Sequence, residues 1–239
     1  MSRPRFALFA ACMLLSAAGA LGRQAGPARG SQQRPNIVLM FPDNLGWGEV
    51  GVYGSVRGVP TPRIDRLAAE GMRLNNFNVE YSCTVSRAAL LTGRYSVRLR
   101  VVGALAPSDR AGLPASELTI AEALHARGYA TAMIGKWHVG HAPESLPPAQ
   151  GFDQFFGIPF SSDVTPLRLM RGTSVLDDSA DVSTLTERFT DEAVRFVDEH
   201  ADRPFLLYLA HSAPHAPLLV AERFRGKSQG GRYGDAVES

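Results

Sequence analysis

Thr119-Ile120-Ala121-Glu122-Ala123-Leu124-His125-Ala126-Arg127-Gly128-Tyr129-Ala130-Thr131-Ala132-Met133-Ile134-Gly135-Lys136-Trp137-His138 is a helix followed by a strand. Thr119 and Glu122 have the spacing of a capping box, in which two side chains satisfy the free N–H groups at a helix start. Gly128 is the stop, because glycine takes the left-handed turn that ends a helix without steric cost. Tyr129 to Ile134 then reads as a strand. Helix, glycine and strand form the return of a βαβ unit. His125 is expected on the solvated helix surface.

Two further apolar runs extend this plan. Asn36-Ile37-Val38-Leu39-Met40-Phe41 follows Pro35 without a polar break after Asn36, which suits a central strand covered on both faces. Pro204-Phe205-Leu206-Leu207-Tyr208-Leu209-Ala210 is another buried strand. Each run ends in a polar cluster: Pro42-Asp43-Asn44-Leu45-Gly46-Trp47-Gly48, Gly135-Lys136-Trp137-His138-Val139-Gly140-His141, and His211-Ser212-Ala213-Pro214-His215-Ala216-Pro217. The expected fold is therefore α/β, a mostly parallel central sheet sandwiched by helices, with the site along the carboxyl edge of the sheet.

The scaffold around these strands is also legible. Thr61 to Gly71 has an N-cap Thr, Pro62 at the first helical position and a terminal glycine; Ile64, Leu67 and Ala68 are its expected buried stripe. Arg73 to Val79 alternates loosely and reads as a strand. Gly151 to Gly157 reads as an aromatic loop packing behind the site, and residues 160–182 as a variable loop near its mouth. Between Thr184 and His200, the residues Phe189, Ala193, Phe196 and Val197 mark a helix stripe.

One stretch carries a candidate nucleophile. In Tyr81-Ser82-Cys83-Thr84-Val85-Ser86-Arg87-Ala88-Ala89-Leu90-Leu91-Thr92-Gly93-Arg94, good helix formers run from Ala88 to Leu91 and Gly93 sits at the C-cap. Cys83 then lies at the first turn, where unpaired N–H groups and the helix dipole favour an anion. Arg87 stands one turn on, on the same face, placed to fix an anion or the nucleophile. A small buried cysteine is the alternative. Asp43 and Asn44 present oxygens suited to a hard cation such as Ca²⁺, or else close the strand with an Asx turn. Lys136 and His138 point to one side of an extended segment: a fixed cation beside a proton carrier, or a surface lysine beside a packed histidine.

Composition bounds the partners. The 239 residues are 45% hydrophobic and 20% charged, enough for a sizeable core in one or two domains. A net charge of +2, with no Lys/Arg run interleaved with aromatics, excludes nucleic acid as an expected partner. Residues 1–20 read as a signal peptide: Arg3 and Arg5 precede the apolar run Phe6 to Leu15, and Ala18-Gly19-Ala20 is the cleavage site. The apolar run is too short to stay in a membrane as a spanning helix. The mature chain is expected to be exported, periplasmic or secreted, with a linker over 21–33 and the catalytic domain over 34–239. Cleavage removes Cys12 and leaves Cys83 alone, without a partner for an internal disulfide.

The Cys83 stretch resembles the sulfatase signature, Cys-x-Pro-Ser-Arg followed by Thr-Gly-Arg. Cys83, Ser86, Arg87, Thr92, Gly93 and Arg94 match it, and Val85 replaces the usual Pro. Asp43-Asn44-Leu45-Gly46-Trp47-Gly48 is similar to the family's Asp-Asp-x-Gly-Trp-Gly, with Asn44 in place of the second Asp. Gly135 to Gly140 resembles Gly-Lys-Trp-His-Leu-Gly, and His215 lies in the family's Pro-His-x-Pro. Gly226 to Ser239 is similar to a segment that leads into a helix. The resemblance implies an alkaline-phosphatase-like fold, incomplete at the C-terminus, and a sulfuric ester hydrolase of the arylsulfatase kind. It implies conversion of Cys83 to formylglycine by a formylglycine-generating enzyme, and one Ca²⁺ held by Asp43, Asn44 and residue 83. Arg87 and Lys136 would stabilise charge, His138 would take a proton and His215 would assist the leaving alcohol. The substrate would be a sulfated small molecule or glycan. A phosphate or phosphonate ester hydrolase on the same scaffold, or a non-catalytic binding remnant, are the alternatives.

Overall fold

The computed structural model describes residues 34–239, in which Pro35–Ser239 form one compact unit. The expected signal peptide and linker lie outside the described residues. The sheet is built from β1 (Ile37–Met40), β2 (Ala130–Lys136), β3 (Gln154–Ile158), β4 (Leu169–Arg171), β5 (Ser174–Asp177) and β6 (Phe205–Ala210), in the order β1-β6-β2-β3-β4-β5. β1, β6, β2 and β3 pair in parallel, while β4 and β5 add an antiparallel edge. The helices are α1 (Pro62–Glu70), α2 (Cys83–Thr92), α3 (Ile120–His125), α4 (Leu185–Glu199) and α5 (Gly231–Glu238).

The strand period of two sends alternate side chains to opposite faces. Met133, Leu206 and Tyr208 join Val85, Ala88 and Leu91 of α2 and Ala121 of α3 in one core. Ala132, Ile134, Leu207 and Leu209 join Phe189, Ala193 and Phe196 of α4 in the other. The sandwich of helices on a mostly parallel sheet is therefore as expected, as are the capped start of α3 and the left-handed glycines Gly93 and Gly128 that follow α2 and α3. Thr119 Oγ1 accepts from Glu122 N at 3.1 Å and Glu122 Oε2 accepts from Thr119 N at 2.8 Å.

Several expectations need correction. β1 is an edge strand, not a central one. Ile37 and Leu39 pack on the α2 side, but Val38 and Met40 are 51% and 58% exposed because α4 lies over β2, β3 and β6. An apolar run shows that a strand can be covered on both faces; it does not show which elements are present to cover it. The α1 stripe also fails. Ile64 and Leu67 are exposed, and Ala68 is only partly buried. Residues 73–79 form turns and irregular chain instead of a strand, with Leu74, Phe77 and Val79 exposed. Conversely, Gln154–Ile158 of the expected aromatic loop is β3, and the expected loop over 160–182 contains β4 and β5.

Candidate active site

The parallel strands β1, β2, β3 and β6 run in the same sense, so their carboxyl ends share one edge. Lys136 ends β2; Asp43, Ser161 and His215 follow β1, β3 and β6, and the N-terminus of α2 is brought against them. Two glycines permit the convergence. Gly135 has φ of +115°, and a Cβ there would lie 2.0 Å from the Ala210 carbonyl oxygen; a Cβ on Gly157 would lie 1.9 Å from the Gly135 oxygen. Strands approach closely at the site because no side chain separates them.

Asp43 is the electrostatic centre. Its Oδ2 lies 2.7 Å from Arg87 Nη2 and 2.7 Å from Lys136 Nζ, and all three side chains are buried. Burial pushes the Asp43 carboxyl up, but the two cations outweigh it and hold the group below its usual range. Arg87 also donates to the Lys136 carbonyl, so it ties α2 to β2 as well as to Asp43. It reaches the centre through Asp43. Asn44 is exposed and adopts a left-handed conformation at φ 63° beside that carboxylate.

Cys83 is the first residue of α2 and is partly exposed. Its Sγ lies 3.4 Å from Lys136 Nζ and 3.7 Å from Asp43 Oδ1. The neighbouring His138 and His215 side chains lower the thiol to about 6, helped by the Lys136 charge and opposed by burial and by Asp43. The thiol in turn raises His215, against the effect of burial. A ligand atom each from Asp43, Cys83 and His215 lie within 4.8 Å of one another.

The two histidines are oriented by backbone carbonyls. His138 Nε2 donates to Leu105 O at 2.9 Å, and His215 Nδ1 donates to Ala216 O at 2.6 Å. A carbonyl can only accept, so in each neutral ring the other nitrogen is the acceptor. For His138 that is Nδ1, which is buried without a hydrogen-bond partner. For His215 it is Nε2, 3.4 Å from Ser161 Oγ. The segment is not extended at His138 as expected: His138 has φ of 59° and its N–H donates to Pro159 O at 3.1 Å. Lys136 and His138 still meet at Cys83, through a left-handed turn.

Ser161 was not legible in the sequence. Its hydroxyl accepts from Lys136 Nζ at 3.0 Å, and it is 6% exposed within the site. It follows β3, and reading Gln154–Ile158 as a strand would have placed it at the carboxyl edge. His211 sits apart against Phe189, with burial lowering it to about 4. Arg94 stands outside the centre, pairing with Glu117 at 2.6 Å.

Calcium takes about 6–8 oxygen ligands. Asp43 supplies two oxygens, one already holding two cations, and Asn44 an amide oxygen; Cys83 and His215 offer sulfur and nitrogen. The described residues therefore do not by themselves make a calcium cage.

Residues 35–238 match the Sulfatase family model. Arylsulfatase A of Homo sapiens is 41% identical over 232 residues, covering 85% of this chain and 46% of the relative. N-acetylgalactosamine-6-sulfatase of Rattus norvegicus is 38% identical over 252 residues, covering 94% of this chain and 47% of the relative. The crystal structure of PsFucS1 sulfatase from Pseudoalteromonas sp. superposes with a TM-score of 0.78 at 32% identity, covering 86% of this chain and 49% of that one. The chain thus spans about half the length of the curated relatives it matches.

Proposed function

Because the chain belongs to the sulfatase family, we propose that its centre hydrolyses sulfate esters with a nucleophile carried on residue 83. The observation that carries this reading is the meeting of Cys83, Lys136, His138, Ser161 and His215 around Asp43 at the end of the sheet. Such a centre is built to hold a tetrahedral anion: a buried ammonium and the start of a helix both favour negative charge.

Conversion of Cys83 to formylglycine by a generating enzyme would supply a hydrate with two hydroxyls, one to attack sulfur and one whose deprotonation expels sulfate. A thiol has a single nucleophilic atom and lacks the second group. His138 supports the deprotonation, since its only free nitrogen, Nδ1, is an acceptor beside residue 83. His215 would protonate the departing alcohol oxygen: the Ala216 carbonyl holds its Nδ1, which leaves Nε2 facing the centre to carry and release a proton. Lys136, held by Asp43 and Ser161, would bind the sulfate oxygens. Arg87 positions Asp43 from below. Calcium is proposed as a partner to which this chain would contribute oxygens of Asp43, Asn44 and the converted residue 83, and no step above depends on it.

The chain is proposed to be exported through residues 1–20 and to act on a sulfated small molecule or glycan; no helix among the described residues is long and apolar enough to cross a membrane. The test is co-expression with a formylglycine-generating enzyme, mass spectrometry of the peptide spanning Cys83, and a sulfate-release assay. Conversion with turnover that Cys83→Ala abolishes is the expected result. Turnover by a fully unmodified thiol would overturn the mechanism. Faster turnover of phosphate than of sulfate esters would overturn the substrate class.

A further inference from the structure

Four side chains at the centre end in atoms that a soft divalent metal takes: Cys83 Sγ, Asp43 Oδ1, His215 Nε2 and His138 Nδ1. Ligand atoms of Asp43, Cys83 and His215 lie within 4.8 Å of one another, and Sγ stands 3.7 Å from Oδ1. The His138 ring neighbours the same thiol. His138 is 4% exposed, and its Nδ1 is buried without a hydrogen-bond partner. An acceptor left in that state costs the desolvation of its lone pair, a loss that a bound cation offsets.

Both rings are also supported from behind. His138 gives Nε2 to the Leu105 carbonyl and His215 gives Nδ1 to the Ala216 carbonyl. Histidines that bind metals are held in this way, because the carbonyl fixes the tautomer and turns the bare nitrogen toward the ion. His215 Nε2 meets the Ser161 hydroxyl at 3.4 Å, a long contact that a metal can replace. Cys83 and His215 are partly exposed, which leaves a path of entry.

We propose that the centre, while residue 83 is still cysteine, binds one Zn²⁺ through Cys83 Sγ, His138 Nδ1, His215 Nε2 and Asp43 Oδ1. The proposal concerns the unconverted chain and does not rest on the sulfate-ester reading. Sulfur and imidazole nitrogen select zinc, whereas calcium takes oxygen. Zinc bonds of about 2.0–2.3 Å at tetrahedral angles put ligand atoms roughly 3.3–3.8 Å apart. The separation of Sγ and Oδ1 already has that value, and His215 closes the remainder with about an ångström of movement. Binding releases the thiol proton to solvent, and the sulfur lone pair goes to the metal. Lys136 opposes it: its Nζ lies 3.4 Å from Sγ, and its charge repels the cation. A converted residue 83 has no sulfur, so the zinc site belongs to the unconverted chain, where the metal would cover the thiol.

The test uses the 239-residue chain made without a generating enzyme, carrying Cys12→Ser so that Cys83 is its one thiol. Co²⁺ is the spectroscopic probe, and Zn²⁺ is titrated against a chromogenic chelator. One zinc per chain is expected, with a sulfur-to-cobalt charge-transfer band that zinc removes, and with protection of Cys83 from iodoacetamide. Cys83→Ser should abolish the band. His138→Gln and His215→Gln should each weaken zinc at least about tenfold, the loss that even an outer-shell change causes; circular dichroism melts verify that they fold. Lys136→Met should tighten zinc, the opposite of its effect on a sulfate anion. Absence of the band overturns the proposal, as does zinc affinity unchanged in Cys83→Ser or in both folded histidine variants, weaker zinc binding by Lys136→Met, or displacement of zinc by equimolar calcium. Should a histidine variant fail to fold, the cobalt band and the protection of Cys83 still decide. Sulfate release after conversion, without zinc binding before it, overturns this proposal alone. Zinc binding by a chain that releases no sulfate once converted upholds it and overturns the reaction assigned to the centre.

Discussion

Asp43→Asn tests the electrostatic core of the site. The substitution keeps the side-chain shape and removes the charge. Arg87 and Lys136, 1% and 0% exposed, would then face a neutral amide. Removing one partner of a buried ion pair costs about 3–5 kcal/mol. Lys136 keeps the Ser161 hydroxyl and Arg87 the Lys136 carbonyl as hydrogen-bond partners. The loss should therefore fall near the lower end, about 3 kcal/mol, or roughly 150-fold in the ratio of folded to unfolded chain. Such a loss is a large fraction of the ~5–15 kcal/mol that stabilises a domain. Urea denaturation at pH 7 measures it. The folded-state pKa of Asp43 is depressed, so its contribution is fully present above the ordinary value of 3.8 and is lost as pH falls through the lower folded value. The gap between wild type and variant should accordingly narrow below about pH 4. The double variant with Lys136→Met should lose less than the sum of the single losses, because one uncompensated cation is gone. A loss below about 1 kcal/mol, or additive losses, would refute the view that Asp43 neutralises this pair.

The unmodified Cys83 thiol should be alkylated by iodoacetamide with a pH midpoint near 6, and a midpoint above pH 8 would remove the role assigned to the two histidines. Gly135→Ala should destabilise the chain by roughly 3 kcal/mol or more, through backbone strain and collision with Ala210; a thermal melt within about 1 kcal/mol of wild type would contradict that geometry. His211 is lowered to about 4 by burial, so its contribution is intact above its ordinary 6.5 and fades as pH falls toward 4. Wild type should lose about 2 kcal/mol more than His211→Phe between pH 7 and 5, and parallel denaturation curves for the two would contradict it. Calcium binding by the chain alone should be weak, on the order of millimolar, as calorimetry can show; tight stoichiometric binding would mean that oxygen ligands have been missed.

Local signals made much of this protein readable. The capping box at Thr119, the αL stop at Gly93 and the apolar runs of β2 and β6 each depend on neighbours in sequence, and each stands where expected. So does the clustering of site residues after strand ends, because a parallel sheet gathers its carboxyl ends on one edge whatever the loops do. Other features depend on which segments meet. The exposed faces of β1 and α1 have the patterns of buried elements, and only the tertiary structure reveals what lies against them. The left-handed turn at His138 is imposed by its hydrogen bond to Pro159, and Ser161 enters the site because β3 pairs with β2. The charge arrangement around Asp43 likewise joins residues that are far apart in the chain, 44 positions in the case of Arg87. Sequence alone determined the helices α2, α3 and α4, the strands β1, β2 and β6, the nucleophile candidate and the edge of the sheet where chemistry belongs, since these follow from period, capping and residue type. The pairing of charges and the acceptor nitrogens of the histidines were decided by tertiary structure, since each is a distance between segments that no local pattern encodes.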